Sequence, residues 1–331
     1  MKVARLHAAG VLQLHDEPVP IPGPDETLVR VTAVGVCGSD LHWFSEGSIG
    51  DDRLDHPLVL GHEFAGVTPE GKIVAVDPAI ACGKCEYCLE GSPNFCENMR
   101  FAGHGTNDGA LREYVAWPTR FLFPLPKSMS DAEGAMLEPL GVALYAVDLA
   151  ALRPGMRVGV FGCGPIGLLI VQLSRISGAA QIIATDKLPH RVDAARAMGA
   201  SRTILADGGH EIPEIMAATN NRGVDVAFEV AGENEAVETS VAAAKPGGRV
   251  ILVGIPADDH TTFSASVARR KGLNLQLVRR MKHTYPRAIR LVEQGLIDVH
   301  SIVSHHFPLE NAVEAYAVAT KREGFKIIID L

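Results

Sequence analysis

From Arg157 onward, short apolar strand-like runs alternate with helical ones: RVGVFG then PIGLLIVQLSRISG, QIIATD then PHRVDAARAMG, SRTILAD then IPEIMAATN, VDVAFEV then AVETSVAAA, and finally RVILVG and GLNLQLV. Strand runs this uniformly apolar are covered on both faces, and a crossover helix brings each strand back parallel to the last. The alternation therefore restricts this region to a parallel, doubly wound α/β sheet.

Between the first strand and the first helix lies Gly162-Cys163-Gly164-Pro165-Ile166-Gly167. Alone, GxGxxG is a weak signal. After a buried strand and at the mouth of a helix it has the context of a dinucleotide-binding turn, where glycines let the backbone approach a pyrophosphate at the helix N-terminus. Asp186 ends the next strand, where a carboxylate takes the adenosine ribose hydroxyls and repels a 2′-phosphate. NAD is the expected cofactor. Lys187 and Arg191 keep NADP open, and a helix cap is the plain alternative for Asp186. Cys163 is assigned no chemistry.

The chain before residue 140 has a different texture, rich in Gly, Pro and β-branched runs such as ETLVRVTAVGV and GKIVAVDP, and no helix is expected before Asp131. With 331 residues, two domains are expected. The boundaries drawn are 1–140, completed by 281–331, and 141–280. Two helices, TYPRAIRLVEQG and LENAVEAYAVAT, and a last strand, KIIID, close the chain. A net charge of −8 argues against a nucleic acid or a membrane surface as main partner. The basic run Arg269-Arg270-Lys271 reads as solvated surface or a domain joint. The N-terminus MKVARLHAAGVLQL lacks the apolar core of a signal peptide, so a cytoplasmic location is expected.

Four of the six cysteines, Cys82, Cys85, Cys88 and Cys96, fall within fifteen residues. In a reducing compartment such a cluster holds a metal more readily than disulfides. Four thiolates with no open position describe a structural zinc, an iron–sulfur cluster and free thiols being the other readings. A second set is scattered: Cys37-Gly38-Ser39-Asp40 after one strand, His62-Glu63 after DHPLVL, and Glu138 in MLEPLG. Each has a plain reading as core, surface or helix residue, and periodicity does not assemble them.

CGSDLH, GHEFAG, the four-cysteine loop, EPL and GCGPIG occur in an order that resembles the zinc-dependent medium-chain alcohol dehydrogenases over nearly the whole chain. CGSDLHWFSEGSIG, LEPLGVALYA and RRMKHTYPRAI resemble the polyol branch, with L-threonine dehydrogenases close behind. The resemblance implies a GroES-like β-rich catalytic domain beside a Rossmann domain, one catalytic and one structural zinc, and NAD. Cys37, His62 and Glu63 would hold the catalytic zinc. Glu138 would be a further ligand or a contact to the bound water or substrate, which leaves open the carboxylate bound at rest. Ser39 would begin a proton relay through a cofactor ribose hydroxyl and a histidine such as His42. Trp43, Arg280 and Met281 fall at substrate positions, Asp186 and Arg191 at the adenosine ribose, and Val253, Gly254 and Ile255 near the nicotinamide. The site would lie in the cleft between the domains.

Two departures stand out. Trp43 and Met281 replace tyrosines frequent in the polyol branch, and AGVTPEGKIVAVDP is shorter than the usual run after GHE. The activity expected is oxidation of a secondary alcohol of a polyol or sugar acid. Threonine and sugar dehydrogenases are the alternatives within the fold, and a non-enzymatic NAD-binding zinc protein is the alternative outside it. A quinone reductase and a zinc-ribbon nucleic-acid binder fit less well. A homodimer or homotetramer is implied, with GLNLQLV as a joining edge.

Overall fold

The computed structural model describes residues 1–257 and 259–331. They form two compact units, Met1–Gly141 with Lys282–Leu331, and Val142–Met281.

The second unit is the doubly wound sheet. Six parallel strands stand in the order Arg202–Leu205, Gln181–Asp186, Arg157–Phe161, Val224–Glu229, Ala244–Leu252, Asn274–Leu277. The chain order reverses between Arg157–Phe161 and Val224–Glu229, and the crevice at the carboxyl ends of such strands is where doubly wound folds bind ligands. The helix Pro165–Ile176 runs from the first strand, with Leu168, Leu169, Ile170 and Val171 fully buried. Each such side chain contributes about 1.5–3 kcal/mol by leaving water. Proline at its first position suits a helix start, because φ is preset and no amide hydrogen is missed. Asn274–Leu277 is an outer edge of the sheet, with Leu277 largely exposed.

The basic run is more than solvated surface. It ends the helix Ala265–Lys271, and the Lys271 ammonium donates to the carbonyls of Val241 (3.3 Å), Ala242 (2.6 Å) and Ala244 (2.8 Å). The last carbonyls of the helix Asn234–Ala243 find their partner there.

The first unit is β-rich. Its seven-stranded sheet is built on the long strand Glu26–Gly35, flanked on one side by Glu63–Val67 and on the other by Tyr114–Pro118 and Lys326–Asp330. A smaller sheet joins Lys2–Ala8 to Val11–Asp16 and Leu58–Val59. One apolar cluster, with Phe64, Leu60, Trp117 and Tyr316, fills the space beneath them. Against expectation, a nine-residue helix, Gly38–Glu46, precedes Asp131. It is short, and only Asp40 and Trp43 are buried along it, so it carries no apolar stripe by which to recognise it. The strand Val303–Pro308 was likewise unforeseen, because its alternate residues are polar histidine and serine. Among the described residues no helix is long and apolar enough to cross a membrane.

Candidate active site and metal centres

Sheet register assembles the scattered ligand set. Gly35 pairs with Glu63 on one side and Ile328 on the other. A Cβ on Gly35 would collide with the Glu63 carboxylate, so glycine is required at this step of the strand. Two residues on, Cys37 caps the helix Gly38–Glu46. Cys37, His62 and Glu63 each offer a ligand atom, and these atoms lie within 4.8 Å of one another.

Two residues unforeseen as participants complete the setting. Asp40 is fully buried; its carboxylate accepts from the Cys37 amide at 3.0 Å and faces His62 Nδ1 at 3.3 Å. That partner engages Nδ1 and leaves Nε2 for a metal, the arrangement by which carboxylates orient metal-binding histidines. His62 Nε2 stands 3.5 Å from Ser39 Oγ. Lys326, 3 % exposed, places its ammonium 2.7 and 2.5 Å from the two Glu63 oxygens and 2.9 Å from the Val36 carbonyl. Asp40 was visible in the CGSD stretch beside a candidate ligand. Lys326 carried no signal, since only the fold brings it to a residue 263 positions away.

The electrostatics fit a dication. Burial works against a charged His62, yet Asp40 and Cys37 outweigh it and push the imidazole well above its ordinary value. In Glu138, buried in the helix Leu137–Ala150, loss of solvent lifts the carboxyl to about 7, against the pull of His62 and with the push of Glu63. One thiol, Asp40, Glu63 and Glu138 thus share a buried region with one lysine. A donor set of S, N and O with three members suits zinc with one position left for water or substrate. Glu138 is outside the set of mutually close ligand atoms, so Cys37, His62 and Glu63 are the three brought together.

The cysteine loop is the second centre. The Cys82, Cys85, Cys88 and Cys96 sulfurs lie within 4.8 Å of one another, with Cys85 and Cys88 sulfurs 3.5 Å apart. A tetrahedron with zinc–sulfur bonds of about 2.3 Å needs edges of about 3.8 Å. Backbone amides already point at the sulfurs, from Cys82 to Cys96 and from Cys85 to Cys82, each at 3.3 Å. The Lys84 and Cys85 amides pull Cys82 down to about 6, while loss of solvent and then the Cys85 thiol push Cys88 up to about 12. The push on Cys88 works against a second thiolate beside Cys82, and a shared cation would relieve it.

In the second unit the glycines have separable jobs. Gly162 has φ 105°, and a Cβ there would lie 2.8 Å from the Ala231 amide nitrogen across the strand-order reversal. Gly167 packs on the Gly162 carbonyl. Gly164 opens outward: the nearest atom to a Cβ there is Arg191 Nη1, at 3.7 Å. An open glycine at the N-terminus of a twelve-residue helix fits a pyrophosphate. Asp186 accepts from the Cys163 amide at 2.7 Å and the Leu188 amide at 2.9 Å, which ties the loop to the next strand and leaves acceptor capacity. Gly254 packs against Gly232, and Ile255 is 49 % exposed after it.

Trp43 is buried, its ring 5.7 Å edge-on from His104, and His42 bonds Glu46. Arg280 has left-handed backbone at φ 57°, and Met281 is buried; both close the second unit.

Residues 23–127 match the alcohol dehydrogenase GroES-like domain and residues 165–294 the zinc-binding dehydrogenase domain. Sorbitol dehydrogenase of Bacillus subtilis is 35 % identical over 99 % of this chain and 97 % of its own. L-threonine 3-dehydrogenase of Bacillus licheniformis is 33 % identical over 95 % and 94 %. The crystal structure of a zinc-binding dehydrogenase from Sinorhizobium meliloti bound to NADP superposes with a TM-score of 0.91 at 31 % identity, covering 100 % and 99 % of the two chains. The chain belongs to the zinc-dependent medium-chain dehydrogenases, and within them it is a polyol dehydrogenase-like protein. It is an oxidoreductase acting on CH–OH groups, with zinc and a nicotinamide cofactor and a small-molecule substrate.

Proposed function

We propose that this enzyme oxidises a secondary alcohol of a polyol or sugar acid to the ketone and delivers the hydride to NAD. The observation that carries the reading is the set of half-buried Cys37 with buried His62 and Glu63, the three ligands brought together there among the described residues, with a hydroxyl 3.5 Å from the histidine nitrogen that faces away from Asp40. Zinc in that set supplies Lewis acidity that brings the pKa of an alcohol toward neutrality. A bound nicotinamide would supply the hydride-accepting chemistry.

The chain's own groups divide the remaining work. Asp40 fixes the His62 tautomer and ring plane. Lys326 compensates the Glu63 charge and keeps its carboxylate aimed. Ser39 Oγ would accept the alcohol proton as it gives up its own, with His42 as a further step outward. Glu138, held near neutrality in its protonation, receives or orients the hydroxyl that enters. Trp43, Arg280 and Met281 select the rest of the substrate; the guanidinium suits a hydroxyl or a carboxylate. Gly162, Gly164, Pro165, Ile166 and Gly167 receive the pyrophosphate. Asp186 and Arg191 take the adenosine ribose, and Val253, Gly254 and Ile255 line the nicotinamide. Cys82, Cys85, Cys88 and Cys96 hold a second, structural zinc. The free thiols fit a reducing compartment such as the cytoplasm. The exposed edge Asn274–Leu277 suits pairing with a second copy, as an unpaired strand edge does.

The test is a panel of sorbitol, xylitol, L-iditol, L-idonate, L-threonine and D-glucose, each with NAD and with NADP. Turnover of a polyol or L-idonate with NAD is the expected result. Preference for L-threonine or glucose would replace the substrate reading, and preference for NADP the cofactor reading.

A further inference from the structure

The residue after Asp186 is a cation, and it does not stand alone. Lys187 Nζ lies 2.7 Å from Glu233 Oε2 and 2.6 Å from Glu235 Oε2. Both glutamates begin the helix Asn234–Ala243, which follows the strand Val224–Glu229. That strand is the neighbour of Arg157–Phe161 at the point where strand order reverses. The triad therefore spans the carboxyl edge of the sheet beside the glycine loop. A cation near the acid at the end of the second strand is what accommodates a 2′-phosphate in folds of this kind. Arg191, the other cation here, has its guanidinium against Gly164 in the glycine loop. Lys187, directly after the ribose acid, is thus a second cation placed to meet a 2′-phosphate, and two carboxylates hold it. The three side chains sum to one negative charge. The hydrogen bonds that Lys187 donates to Glu233 and then Glu235 raise its pKa further, so it stays charged and doubly paired.

We propose that Glu233 and Glu235 determine cofactor specificity by withholding Lys187 from the 2′ position, so that NAD is taken and NADP turned away. This rests on the reading of Asp186 as the ribose acid. The glutamates act through the lysine, and the plain alternative is an ion triad that merely fastens the helix to the strand.

The experiment titrates NADH and NADPH fluorescence on the full-length enzyme, its Glu233→Gln/Glu235→Gln variant, and that variant with Lys187→Ala added. Melting temperatures are recorded alongside. The double variant should gain roughly tenfold in NADPH affinity while NADH affinity changes less than about twofold, the scale of one charge-assisted contact. Adding Lys187→Ala should abolish the gain. Unchanged NADPH affinity in the double variant overturns the proposal. So does a gain that survives loss of the lysine, which would place the effect in the glutamate charge alone. Equal loss of both affinities with a lowered melting temperature assigns the triad to fastening and also overturns it. If the parent enzyme already binds NADPH as tightly as NADH, the underlying reading of Asp186 fails, and the parent measurement shows this before any variant is made.

Discussion

The cysteine loop and the Cys37–His62–Glu63 set are built on opposite principles. The loop draws four ligands from fifteen consecutive residues, leaves three of them half-exposed, and aims its own amides at the sulfurs. The other set takes Cys37 from the helix cap that follows one strand and His62 and Glu63 from the start of its neighbour, and buries His62, Glu63 and their partners Asp40 and Lys326 almost completely. A site made by a loop can be completed by the ion alone. A site made by a sheet must be completed by the fold, which then has to supply counter-charge for each buried anion. Lys326 is that supply for the Glu63 carboxylate, and Asp40 finds its partner in His62. The first arrangement suits an ion that fastens a loop without a core, and the second an ion that must keep one position open in a dry place.

The contrast can be broken most sharply at His62. Replacing it with Ala should remove one zinc, lower turnover by roughly a thousandfold or more, and leave the melting temperature close to the parent's, since several kcal/mol of transition-state stabilisation go with the metal. Cys88→Ser should do the reverse. One zinc is again lost, but residues 82–96 become protease-sensitive and the melting temperature falls, while turnover per remaining zinc persists, because a structural zinc contributes to folding outright. Comparable turnover loss in both variants would erase the distinction.

Lys326→Met sharpens the claim about counter-charge. Leaving Glu63 buried without its partner should cost about 3–5 kcal/mol in the metal-free protein. Zinc should recover part of the loss by providing the missing positive charge. An equal loss with and without zinc would show that Lys326 serves the sheet and not the site.

The smallest effect is one of pH. Burial raises Glu138 to about 7, so the folded, metal-free protein keeps a proton that the unfolded chain releases near the ordinary 4.5. Its contribution is fully present below 4.5 and is lost as pH rises through about 7. Metal-free stability should therefore fall by on the order of 3 kcal/mol across that window. Glu138→Gln should flatten the decline. Chemical denaturation at pH 4.5, 6 and 7.5 measures it, and an unchanged slope in the variant would assign the titration elsewhere.

The same contrast explains what was legible in the sequence. The glycine turn, the alternating strands and helices, and the cysteine loop are local patterns whose partners lie within tens of residues. The Cys37–His62–Glu63 set was gathered by family resemblance, not by periodicity, because register and not spacing brings its members together. Lys326 stood inside KIIID, an ordinary strand by pattern, and only the pairing of Ile328 with Gly35 sets it beside Glu63. Gly35 lies unmarked in the run ETLVRVTAVGV, and only the fold sets the Glu63 carboxylate where its side chain would be. The helix Gly38–Glu46 escaped notice because it exists to carry Asp40 and Trp43 inward, with no apolar face to repeat.

Two zinc ions with different work set the two sites apart, and counting them is the most direct test. Protein purified without chelator and measured by elemental analysis should hold two zincs per chain, and His62→Ala one, with the cysteine loop still protected from protease. One zinc in the parent enzyme, or two retained in His62→Ala, would contradict the assignment of Cys37, His62 and Glu63 as the site of chemistry.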